Sequence, residues 1–149
     1  MADTRVQVEV EDWVRRNWMQ EKFGQPFHRD RIRLKSGGLF DFDAVSADQS
    51  IVASISTSSA KTSSGKHAVG KMMKLRSDML FLLMAELPTR RFIVLTEKCM
   101  LENCEKEKSG GRVPQEIQFL LAEIPAELSS RLAAARNLAS KEVQPRQRD

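Results

Sequence analysis

Leu39-Phe40-Asp41-Phe42-Asp43-Ala44-Val45-Ser46 and, beyond Ala47-Asp48-Gln49, Ser50-Ile51-Val52-Ala53-Ser54-Ile55-Ser56-Thr57 are the segments that decide the fold. Both are rich in the β-branched and aromatic residues that suit a pleated, half-buried surface. In the first, Phe40, Phe42 and Ala44 alternate with Leu39, Asp41, Asp43 and Val45, the two-residue period of a strand. Asp48-Gln49 supplies the turn into the second. Just upstream, Phe27 to Lys35 alternates in the same way, with Arg29, Arg31, Arg33 and Lys35 on one side and Ile32 and Leu34 on the other. Gly37-Gly38 is the hairpin signal that joins it to the next strand. Three strands in a row on short turns predict a meander.

Outward from the meander the period changes. Val6, Val10, Trp13, Val14 and Trp18 recur near 3.6 residues, predicting a helix over 4–23 with Gly24 at its C-cap. The Val6/Val8/Val10 alternation leaves a strand start as the other reading of its first residues. Ser58 to Gly65 is small and hydroxyl-rich and reads as a loop. Val69, Met72, Met73, Met79, Leu80, Leu83 and Met84 then form a broad apolar stripe on a helix over 69–87, which Pro88 stops. Arg91 to Thr96 is a short apolar run, the mark of a buried strand. Residues 97–113 read as a polar surface loop, 114–124 and 126–142 as two closing helices, and 144–149 as a charged tail. The order is αβββαβ plus two helices, in a single domain over 1–143.

The apolar fraction of 41% and charged fraction of 30% exclude a mostly disordered or fibrous chain. No stretch approaches the roughly eighteen apolar residues of a membrane span. The opening Met1-Ala2-Asp3-Thr4-Arg5 leads into no apolar signal core. Two cysteines, Cys99 and Cys104, are too few for a disulfide scaffold or a four-cysteine zinc site, and suit a reducing compartment. A cytoplasmic protein without membrane contact is expected. The net charge of +4 is unevenly spread: residues 28–76 hold nine Lys/Arg against four Asp, while the remainder holds fifteen basic and sixteen acidic residues. A basic centre points to an anionic partner, and nucleic acid is the expected one.

The order αβββαβ, with Asp43 inside Phe42-Asp43-Ala44-Val45 on the second strand and Ile51-Val52-Ala53-Ser54-Ile55-Ser56-Thr57 as the third, resembles the PD-(D/E)XK nuclease superfamily. That group includes type II restriction enzymes and archaeal Holliday-junction resolvases. The resemblance runs over residues 4–96. It implies a restriction-endonuclease-like α/β core, a mixed sheet flanked by helices, here with two extra C-terminal helices. It also implies a site in which an aspartate and an acidic-x-Lys triplet on the next strand hold Mg²⁺ or Mn²⁺ and cut a phosphodiester. Strands about 4.8 Å apart let facing carboxylates share one hard cation, and a lysine two residues on lies on the same face, beside the attacking water.

Asp43 fills the first position. Ser54 stands where the acidic residue belongs, and Ser56 stands where the lysine belongs. A neutral hydroxyl holds a divalent cation weakly and brings no positive charge to an attacking hydroxide. Loss of one proton-transfer group alone costs ~10²–10⁴ in rate. The expectation is therefore a nuclease-fold protein with an incomplete site, acting as a nucleic-acid-binding or regulatory module. Arg29, Arg31, Arg33, Lys66, Lys71 and Lys74 are its phosphate contacts.

A second reading keeps the enzyme. Lys61 or Lys66 swings into the vacant lysine position, and Asp41, two residues from Asp43 on the same strand, shares a Mg²⁺ or Mn²⁺ ion, with Glu9 and Glu11 as further oxygens. A third reading is a protein-interaction or assembly subunit, with the surplus apolar face of the methionine helix as a homodimer seam. Gly65-Lys66-His67-Ala68-Val69-Gly70-Lys71-Met72 matches the G-x-x-x-x-G-K spacing of a phosphate-binding loop, but no strand leads straight into it and Met72 replaces the Mg²⁺-binding hydroxyl. What survives is a loop entering a helix that meets a backbone phosphate. His28 and His67 have no partners at zinc-ligand spacing.

Overall fold

The computed structural model describes residues 4–61 and 68–143, with side chains as far as Leu138. The elements are α1 (Arg5–Trp13), a π-helical segment (Val14–Met19), α2 (Gln20–Phe23), β1 (Phe27–Arg33), β2 (Leu39–Ser46), β3 (Ile51–Ser56), α3 (Val69–Met84), β4 (Arg90–Leu95), α4 (Lys98–Ser109), β5 (Ile117–Leu121) and α5 (Ala126–Val143). The strands form one mixed sheet in the order β1-β2-β3-β4-β5. Pairing is antiparallel as far as β3 and parallel across β3-β4-β5.

The sheet has a core on each face. On one, α3 and α4 cover Ile32, Phe42, Val52, Ile93 and Leu95 with Leu75, Met79, Leu82, Met100 and Cys104. On the other, the N-terminal helix and α5 cover Phe27, Ala44, Ala53, Ile55, Phe92 and Val94 with Val6, Val10, Val14, Met19 and Leu132. Trp13 and Trp18 pack half-buried against this second core, as their helical spacing predicts. The helix over 4–23 forms and ends at Gly24, whose φ of +70° is the left-handed cap only glycine adopts freely. Its middle is π-helical. The i to i+5 period of that turn brings Val14 and Met19, five residues apart, onto one buried face.

The turn between β2 and β3 fixes their register. Asp48 Oδ1 accepts from Ser46 Oγ (2.7 Å), Ser50 N (3.0 Å) and Ser50 Oγ (2.7 Å), while Ile51 N donates to Ser46 Oγ (3.0 Å). These bonds, the Ser50 backbone first among them, hold the Asp48 carboxyl well below the usual carboxylate range. Ala44 thereby pairs with Ala53 and Val45 with Val52.

Two expectations are overturned in the C-terminal third. Residues 97–113 contain a helix, α4, because Met100 and Cys104 are one helical turn apart and bury against the sheet while Lys98, Glu102, Glu105 and Lys106 face water. The expected helix over 114–124 is instead strand β5, where Ile117 and Phe119 alternate inward beside exposed Gln118. Pro114 begins a turn, its carbonyl accepting from Ile117 N (3.1 Å). The αβββαβ order is thus followed by helix, strand and helix. Lys66, His67 and the tail over 144–149 lie outside the described residues.

The apolar stripe of α3 is narrower than its sequence predicts. Leu75, Met79 and Leu82 are buried, whereas Val69, Met73 and Leu80 are more than half exposed. Leu82→Ala is expected to lower the unfolding free energy by about 2–5 kcal/mol, and Leu80→Ala to change it by less than about 0.5 kcal/mol. Urea unfolding followed by circular dichroism checks this. Equal losses would mean that α3 is rotated on the sheet.

Candidate functional site

The β2–β3 ladder stops short. From Val45 to Phe42, β2 advances three residues while β1 advances two, from His28 to Asp30, so one extra residue bulges at Asp43-Ala44 opposite Arg29. The bulge breaks the expected alternation. Phe42 and Val45 both enter the core under α3, and Ala44 enters the other.

Asp43 sits at this break, half-buried, and both of its polar groups are diverted from the ladder. Its carbonyl accepts from Arg15 Nε (2.6 Å), and its Oδ2 accepts from the Ile55 backbone N–H (2.9 Å). A side chain has replaced the main-chain pairing, and the strands fork. Arg15 reaches the fork from the π-helical segment, its guanidinium buried and held also by Asp12 (3.3 Å). Beyond the fork the β1–β2 hairpin curls toward the far end of α3. Phe40 stacks on Phe81 (4.1 Å between centroids, 9° between planes), and Leu34 bridges to Ala85.

On the β3 side of the fork stand Ser54, which is buried, and Ser56, which is half-buried. Both lie on the Val52 side of the strand, beneath α3. Strand β3 carries them as expected, and the register puts Ser54 next to Asp43. Above them α3 carries half-buried Lys71 and Asp78 and exposed Lys74, with Lys74 Nζ 3.5 Å from Asp78. Two carboxyls feel the Asp43 charge, Glu11 from α1 and Asp78 from α3. Burial, with that charge added to it, pushes both above the usual carboxylate range, and Lys74 offsets part of the effect at Asp78. Burial also lowers the Lys71 ammonium, helped by the neighbouring Arg136 charge.

Asp78 and Arg15 are the site residues that sequence reasoning missed. Asp78 is on the helix face that carries Lys71 and Lys74, which a helical projection from Leu75 reveals. No local pattern betrays Arg15, because the π-helical turn that buries it has no signature of its own.

The other expected site residues are more scattered. Asp41 is exposed and lies 3.9 Å from Arg31, its partner across the hairpin. Among the described residues no three His, Cys, Asp or Glu side chains converge where they could hold a metal ion. Lys61 is exposed at the end of the β3 exit, its N–H donating to Ser59 Oγ (3.3 Å). Arg29, Arg31 and Arg33 are exposed on edge strand β1, on the Phe27 side facing away from α3, and Arg33 lies 3.8 Å from Glu86. The sheet lies between them and the other expected phosphate contacts, Lys71 and Lys74 on α3. Cys99 and Cys104 are free thiols, and burial pushes Cys104 up to about 11.

Comparison of the chain with protein-family models, curated proteins and solved structures found no match.

A raised carboxyl pKa favours the protonated form in the folded state. The stability contributed by Glu11 and Asp78 is therefore complete below their unfolded pKa values and falls as pH rises through the raised ones. Asp43→Asn removes the shared charge but keeps an oxygen for the Ile55 N–H, and is expected to lower the titration midpoints of both. Carboxyl ¹³C NMR checks this, and an unmoved midpoint would detach that residue from the fork. Arg15→Met is expected to raise the exchange rate of the Ile55 amide about tenfold or more, since burial of an unanswered Asp43 carbonyl costs about 1–3 kcal/mol. Hydrogen exchange read residue by residue would expose the opposite result, unchanged protection.

Proposed function

We propose that this chain is a PD-(D/E)XK-like domain that binds nucleic acid at the surface around the β2–β3 fork and does not cut it. The observation that carries the reading is Ser54 and Ser56 on β3 beside Asp43, where metal-dependent cleavage needs a second carboxylate and a lysine. The aspartate here is occupied by a backbone amide. Hydroxyls and lysines remain, and both donate well to phosphate oxygens. Binding of this kind is dominated by charge and carries little base specificity.

One observation favours a second reading, a Mg²⁺- or Mn²⁺-dependent nuclease. Glu11 and Asp78 share the field of Asp43, and a divalent cation at the fork would relieve that repulsion. Lys71 on α3, rather than Lys61, would then be the relocated cation.

Fluorescence anisotropy with a labelled duplex is expected to show binding whose affinity falls ~10- to 100-fold between about 50 and about 200 mM salt, as for two to four neutralised phosphates. No binding at the lower salt would refute the proposal. Supercoiled and single-stranded DNA incubated with Mn²⁺ should stay intact. Cleavage that Asp43→Asn abolishes would establish the second reading instead.

A further inference from the structure

Helix α3 carries a second apolar stripe that the fold leaves uncovered. Val69, Met73 and Leu80 are more than half exposed, and Met84 is half-buried. At about 100° per residue these four lie within about 60° of one another, and about 140° round the helix from buried Leu75, Met79 and Leu82. Lys71, Lys74 and Asp78 project from the other flank. A run of large apolar side chains exposed along one helix face marks an interaction surface.

The stripe is not flat. Val69, Met72, Met73 and Arg76 of α3, with Met100 and Asn103 of α4, line a cavity of about 200 Å³. Asn103 Nδ2 donates to Met72 Sδ (3.5 Å), and Glu107 holds Arg76 toward α4 (3.1 Å), which fixes two of the walls. Residues at i, i+3, i+4 and i+7 of one helix form the hole that receives a single side chain from a facing helix. A dry cavity of about 150 Å³ already takes a benzene-sized group.

What faces this hole follows from the order of residues. Val69 and Met84 are equidistant from the midpoint between Arg76 and Ser77, and so are Met73 and Leu80. Two copies of α3 laid antiparallel about a two-fold axis through that midpoint meet apolar against apolar at four levels, with Arg76 against Ser77 at the centre. Val69 meets Met84 of the second copy, Met73 meets Leu80, and each Leu80 stands over the other copy's hole. The surface is thus its own complement, as an isologous interface requires. The antiparallel arrangement also sets the positive end of each helix dipole beside the negative end of the other. Helix α3 has 16 residues and so a length of about 24 Å. Covering one side of two such helices and their α4 rims removes on the order of 1,000 Å² from water, the lower bound for a specific interface.

We propose that this chain forms a two-fold dimer through the outer stripe of α3, with Leu80 of each copy seated in the Val69–Met72–Met73–Arg76 hole of the other. The proposal goes beyond the nucleic-acid reading and is independent of it, and the flank that carries Lys71 and Lys74 stays outside the seam.

Sedimentation equilibrium of the full chain over about 1–500 µM is expected to show a monomer–dimer equilibrium. Met73→Glu and Leu80→Lys are each expected to weaken it about tenfold or more, because each sets an unpaired charge against an apolar side chain. Mixed in equal amounts, the two variants should regain most of the association. In the mixed dimer the two introduced charges lie opposite each other, and the remaining Met73–Leu80 contact is unchanged. Both positions are exposed, and circular dichroism verifies that the variants stay folded. A chain that stays monomeric over the whole range would overturn the proposal and leave the stripe to a different protein. Association that neither substitution weakens would place the seam elsewhere and overturn it as well. Weakening by each variant without recovery on mixing would refute the antiparallel register on which the seat of Leu80 depends.

Discussion

The bond from Arg15 to the Asp43 carbonyl is the constraint on which the rest of the molecule turns. A backbone carbonyl in a sheet interior must be paired, and the neighbouring strand is its usual partner. Here a side chain from another element takes that place, and the Asp43 carboxylate in turn takes the Ile55 amide that the ladder would have used. Both groups find a partner in the exchange, yet β2 and β3 part. Once parted, the β1–β2 hairpin is free to twist across to the far end of α3, where Phe40 meets Phe81 and the Leu34–Ala85 bridge covers part of the β1 edge. Fork and core closure thus go with one hydrogen-bond substitution and a one-residue bulge.

The fork also sets the chemistry within reach. Burial first, and the Asp43 charge in addition, raise the Glu11 and Asp78 pKa values, and among the described residues no three His, Cys, Asp or Glu side chains converge as metal ligands. At the Asp43 level β3 offers Ser54, which is neutral and buried, so repulsion among the carboxylates is answered from the rims, by Arg15 and Arg29 at Glu11 and by Lys74 at Asp78. Positive charge is likewise divided. The β1 arginines lie on the sheet side away from α3, beside Asp41 and Glu86, and such exposed pairs are largely screened in salt. Lys71 is less exposed, and burial, with the Arg136 charge in addition, lowers its ammonium pKa.

Much of this was legible in the sequence, and the reasons are local. Alternation and turn chemistry are short-range, so the three-strand meander, the Gly24 cap and the Asp48 turn could be read directly. They place Ser54 and Ser56 on the strand after the one that carries Asp43. Three features depend on long-range contacts and were not legible. The bulge needs the partner strand to define it, and it undoes the simple alternation of β2 that set Ala44 beside Phe42. Strand β5 is only five residues long and follows Pro114, which reads equally well as a helix start. In α4 only Met100 and Cys104 are buried, too weak a stripe to stand out in a highly charged segment.

The part of the chain that carried no motif proves to tie the fork to the sheet end. Helix α5 lies on the N-terminal helix, where Arg131 makes two bonds to Glu9 (2.8 and 3.0 Å) and Leu132 enters the core beside Val6 and Val10. The same N-terminal helix carries Arg15 into the fork one turn of chain beyond. Four residues after Leu132, Arg136 reaches over the sheet end to Thr57 and Glu97. One helix thus touches both the element that opens the fork and the strand end that lies outside it. Exposed ion pairs stabilise little by themselves, so the packing of Leu132 supplies the attachment while the two arginines set the rotation and axial position of α5. A change in that position would move Arg136 relative to Thr57 and Glu97 and, through α1, Arg15 relative to Asp43, which makes the motif-free C-terminal third a determinant of the fork's geometry rather than an appendage to it.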